Sequence, residues 1–158
     1  MNERTRRRAG MTVAAVLAAD ALVHVYWMTG ATWPARDPAA LSLAVLNFEV
    51  PFTPRGLLMP FTLLVTGSAV MLAHVGGRLP GRIGRAAVGA VAAGLLARGS
   101  VGVVWALGIG ANTDSPFYRL NLLAYTPVCW ALFAAAVITS EQRIPARFRP
   151  VANRRGMS

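Results

Sequence analysis

The sequence predicts an all-α integral membrane protein, a four-helix bundle with both termini on the cytoplasmic side. Three observations predict it. Hydrophobic residues make up 55% of the 158-residue chain and charged residues only 14%, and the mean hydropathy is +0.49, to the apolar side of an ordinary soluble domain. Four apolar runs come close to the ~20 residues that a ~30 Å hydrocarbon core requires. All 16 basic residues are Arg, and they collect in the segments that flank those runs.

The spans are expected at about 11–29, 57–75, 85–107 and 119–139, within one transmembrane domain covering 1–158. Residues 1–8 and 141–158 read as basic cytoplasmic tails. Arg4, Arg6, Arg7 and Arg8 precede the first span, Arg78, Arg82 and Arg85 lie between the second and third, and Arg143, Arg147, Arg149, Arg154 and Arg155 follow the fourth. The opposite side holds only Arg36, Arg55 and Arg119, beside Asp37, Glu49 and Asp114. Positive charge stays inside, so this pattern puts both termini in the cytoplasm of a multi-pass cell-membrane protein. A cleaved secretory signal is the competing reading of the first span, because an Arg-rich start, "MTVAAVLAA" and "ADA" mimic one. Apolar residues continue past Asp20, however, and three remaining spans fit the charge pattern less well.

The outer loop between the first two spans is the longer one. Pro34, Pro38, Pro51 and Pro54 punctuate it, and its central "PAALSLAVLNF" suits a short interfacial helix that cannot span.

Several function classes fall away on inventory. The formal charge of +10 suggests nucleic acid in a soluble protein, but these Arg flank apolar runs and form no nucleic-acid motif, so no nucleic-acid partner is expected. Cys129 is alone, which removes an intramolecular disulfide and CxxC chemistry. His24 and His74 belong to opposite ends of the bundle and cannot share a metal or haem, so no metal and no cofactor is expected. "GIGANT" lacks the spacing and strand context of a nucleotide loop. Ser68 and Ser100 have no spacing that brings them to Asp20 and His24 as a triad.

The informative residues are polar groups inside the spans. Asp20, His24 and Trp27 follow one another at helical spacing and share a face. Tyr26 and Trp27 fall where aromatic rings anchor a helix at the interface. In the third span Ala90, Gly94, Arg98 and Gly102 recur every four residues, a small-residue surface that suggests close helix approach and an inward-facing Arg98. A charge alone at mid-bilayer costs roughly 2.5–3.5 kcal/mol. Asp20 is the one carboxylate at Arg98's depth, so the two are expected to pair, with backbone carbonyls or water as the competing partners for Arg98. In the fourth span Asn121, Tyr125 and Cys129 recur every four residues, and Pro127 is expected to free a carbonyl and bend the helix.

Read together, "HVYWMTGATWP", "LLARGSVG" and "FYRLNLLAYTPVC" resemble an uncharacterised bacterial membrane family, domain of unknown function 3995, over roughly 11–139. The resemblance implies a compact four-helix membrane protein with no established activity to carry over. It makes His24, Tyr26, Trp27, Gly30, Arg98, Tyr125, Pro127 and Cys129 candidate site positions. The family pattern often has an acid where Asn121 stands, in a "D-T-R-x-Y-S-P-L-C" segment; "LNLLAYTPVC" lacks that acid and the Arg that follows it.

The sequence names no biochemical activity; the first reading is binding of a small or lipidic ligand or a partner subunit, with Asp20, His24, Trp27, Arg98 and Tyr125 as a ligand-binding or structural polar cluster. The bilayer is one partner, and a hydrophobic small molecule, a partner subunit or further copies of the chain are the others open to it. An enzyme acting on a quinone or lipid, with His24 moving a proton and Arg98 stabilising an anion, is the alternative. A small proton-coupled transporter is a third.

Overall fold

The computed structural model describes residues 2–140. The expected basic tail 141–158 lies outside them. Among the described residues the chain is all-α: α1 is Glu3–Met28, α2 Pro38–Leu46, α3 Pro54–Val75, α4 Gly81–Ala106 and α5 Pro116–Ser140. All but α2 are long and apolar enough to cross a membrane.

Each long helix starts or continues beyond its apolar run for a local reason. The first begins at Glu3 and not at Met11, because the Asn2 side chain caps it, accepting from the Thr5 N–H at 2.8 Å. Residues counted with the N-terminal tail are thus helical, and Arg favours that state. Pro54 and Pro116 occupy the first turns of α3 and α5, behind the side-chain caps of Thr53 and Ser115. The loop helix expected in "PAALSLAVLNF" is present as α2, capped by Asp37 and closed by Asn47 in the left-handed region at φ 69°. Asn47 also donates its side-chain amide to the Gly110 carbonyl at 2.8 Å, which ties the loop after α2 to the loop before α5.

Within α5, residues Asn121–Tyr125 are π-helical. Pro127 lacks an N–H and its ring collides with the carbonyl four residues back, that of Leu123; widening the preceding turn relieves that collision. The bend expected at Pro127 is therefore expressed as a change of helical register.

The bundle packs as two tight pairs, α1 on α3 and α4 on α5, joined mainly where α1 meets α5. This leaves α1 and α4 diagonal to each other. Val13, Ala14, Leu17, Met71, Val88, Ala92, Leu132 and Ala136 form the core. Ser68 donates to the Ala14 carbonyl at 2.9 Å and so fixes α3 against α1. Outward-facing positions are apolar as well: Leu22, Met59, Leu63 and Leu123 are 65–78% exposed. Water penalises such a surface at ~25 cal/mol per Å², whereas lipid tails do not. The apolar helices suit a bilayer environment.

Close approach of α4 to its neighbours differs from the expected series. Ala90 and Gly94 are exposed, and a side chain added at Gly94 would meet nothing within 4 Å. Gly102 of that series does pack closely, against Thr126 and Asn121, and the other close contacts are at Gly84, against His74, and at Gly99, against Trp130 and Cys129.

Candidate functional site

The polar side chains of α1 form a local chain. His24 Nδ1 donates to the backbone carbonyl of Asp20 at 2.9 Å and lies 3.5 Å from the Asp20 carboxylate. Committing the Nδ1 proton to a carbonyl leaves Nε2 of a neutral ring as the acceptor. The His24 ring tilts against Trp27 with centroids 5.3 Å apart. Trp27 is buried, donates its indole N–H to the Trp33 carbonyl at 3.2 Å and meets Phe52 edge-on. With Leu41 and Leu57 it forms a small second core. It therefore seats the α2 segment on the bundle, where the sequence suggested an interfacial anchor; Tyr26 is the exposed ring of the two.

A second group forms between α4 and α5. The Arg98 guanidinium lies over the Trp105 ring at 5.2 Å and the Tyr125 ring at 5.8 Å. Phe117, fully buried, meets Trp105 edge-on at 5.0 Å and lies 6.3 Å from Tyr125. The Tyr125 hydroxyl donates to the Ala44 carbonyl of α2 at 3.4 Å. Arg98 Nη1 is buried and has no hydrogen-bond partner among the described residues. Cation–π contact recovers about 2 kcal/mol when desolvated, while a buried unmatched donor costs about 1–3 kcal/mol and more when charged. The aromatic rings position Arg98 without satisfying it.

The expected Asp20–Arg98 ion pair is not made: among the described residues the one acid–base contact within 4.0 Å is Asp20 with His24, an ion pair only when His24 is protonated. The diagonal placement of α1 and α4 is the reason. The Asp20 side chain is 52% exposed and His24 12%.

Asn121 has a structural task. Fully buried, it donates Nδ2–H to the Gly102 carbonyl at 2.7 Å and accepts from the Thr126 hydroxyl at 3.1 Å. It braces the π-helical segment against α4. Sequence reasoning missed Trp105 and Phe117, although Trp105 stands seven residues after Arg98, two helical turns along the same face. Phe117 carried no such signal, since it joins the group through the fold of α5. Among the described residues, no group of three or more His, Cys, Asp or Glu could hold a metal ion.

No match to the chain is found among curated proteins or among solved structures. A family model described as "Protein of unknown function (DUF3995)" matches residues 17–137. That stretch holds α2, α3 and α4 whole together with Asp20, His24, Trp27, Arg98 and Tyr125, and the chain belongs to this family.

Proposed function

We propose that this is a multi-pass protein of the cell membrane, with both termini cytoplasmic, which binds a small amphipathic or lipidic molecule through an anionic group held by Arg98. The observation that carries the reading is the buried Arg98 Nη1 left without a partner between two aromatic rings. A carboxylate or phosphate oxygen would complete it with a charge-assisted hydrogen bond. Trp105 and Tyr125 supply an apolar wall for the ligand's tail, with the buried Phe117 packed behind them. The Arg-rich flanks of 1–8, 78–85 and 141–158 support the orientation.

Native mass spectrometry of protein released from a mixture of anionic and zwitterionic lipids tests this. Wild type should retain an anionic molecule, and Arg98→Gln should retain at least about tenfold less, as expected for one lost charge-assisted bond. Equal retention by the two proteins contradicts the proposal.

One observation favours an enzymatic second reading: His24 holds its Nδ1 proton on the Asp20 carbonyl, which makes Nε2 a proton acceptor. Under that reading His24→Gln leaves ligand retention unchanged but stops conversion of a quinone or lipid extract, and unchanged conversion rejects it.

A further inference from the structure

At the end of the bundle remote from α2, the start of α1 and the end of α3 enclose a cleft of about 420 Å³. Arg6, Arg7 and His74 line it, with Thr139 of α5 and with Glu3 as the one acidic lining residue among the described residues. The floor is closed by tight packing of Gly10 on Val75 and Thr139, and His74 is held from behind by Gly84. Arg6 Nε and His74 Nδ1 are both buried and both without a hydrogen-bond partner among the described residues. Glu3 makes no ion pair within 4.0 Å with either Arg.

We infer that this cleft is a binding site for a phosphate group, carried by an anionic phospholipid or by a soluble phosphate compound. The Arg6 and Arg7 guanidinium groups lining one recess, with the His74 ring in its wall, match phosphate, whose oxygens accept several charge-assisted bonds at once. A diffuse basic surface would attract anionic lipid without a recess and without buried, unmatched donors. Arg4 and Arg8 are the internal comparison: they lie on the same helical turns but outside this cleft's lining, in a neighbouring recess that Arg7 also borders and that has no unmatched buried group among the described residues. The site is separate from Arg98, so the two proposals stand or fall independently.

Calorimetric titration of the full chain in zwitterionic nanodiscs tests the inference, with inorganic phosphate, a soluble short-chain phosphatidic acid and a short-chain phosphatidylcholine as probes. Phosphatidic acid should bind and phosphatidylcholine should not; tighter binding of phosphatidic acid than of phosphate assigns the site to lipid, and equal binding assigns it to soluble phosphate. The double variant Arg6→Gln/Arg7→Gln should weaken binding at least about tenfold, the worth of a charge-assisted bond. Arg4→Gln/Arg8→Gln removes the same charge and should stay close to wild type. If the cleft double variant does not fold, Arg7→Gln alone, at an exposed position, should still weaken binding severalfold. Absence of binding by both phosphate probes, or equal loss in the two double variants, overturns the inference.

Discussion

Single residues decide what the middle of this bundle tolerates. Asn121 bridges the Gly102 carbonyl and the Thr126 hydroxyl while fully buried, so Asn121→Ala strands both partners. It should lower stability by about 1–3 kcal/mol, read as a reduced melting temperature in detergent. Asn121→Asp is the sharper test: an ionised carboxylate cannot donate to Gly102, whereas a protonated one can. That variant should be the less stable of the two at neutral pH and regain stability as pH falls; a melting temperature independent of pH rejects the assigned direction of the Gly102 bond. The resemblance drew attention to position 121 because an acid is often found there. In this chain the amide does a task that an ionised acid cannot.

Helical elements carry the packing, and here the sequence was partly misleading. Four-residue spacing of small residues pointed to Ala90, Gly94 and Gly102 as one contact surface, but spacing alone does not say which way a helix is rotated. The observed face passes through Gly99 and Gly102, and Gly94 looks outward. Two substitutions separate these readings. A side chain at Gly102 would collide with Thr126 Oγ1 and come within 3.1 Å of Asn121 Oδ1, so Gly102→Ala should destabilise by about 1–3 kcal/mol through overpacking. Gly94→Ala meets nothing within 4 Å and should be neutral or stabilising by up to about 1 kcal/mol, since Gly is the poorer helix former. Equal losses at both positions would contradict the observed rotation of α4. The π-helical turn in α5 was legible only as a disturbance around Pro127. Pro127 explains the widened turn, but the bracing of that turn by Asn121 against the Gly102 carbonyl of α4 is a contact that no local spacing encodes.

At the scale of the whole molecule, membrane class and helix number were legible because they rest on length, hydropathy and Arg placement, which need no knowledge of contacts. The Asp20–Arg98 pair was not, because depth along two helices fixes height and leaves azimuth open. Asp20 stays beside His24 on its own helix, half-exposed, and Arg98 stacks on rings that the fold brings from α4 and α5. The proposed topology has a direct test, since Cys129 is the only cysteine. In a Cys129→Ala background, a cysteine placed at Arg82 should be shielded from a membrane-impermeant thiol reagent in intact cells, and one placed at Asp114 should react; the reverse pattern would invert the orientation. The account as a whole turns on Arg98 being an unfilled binding group. A density map of the protein crystallised in a lipidic mesophase tests that most directly. The account predicts an anionic group within hydrogen-bond distance of Arg98 Nη1, with its tail along Trp105 and Tyr125. A dry guanidinium paired directly with Asp20 would contradict it.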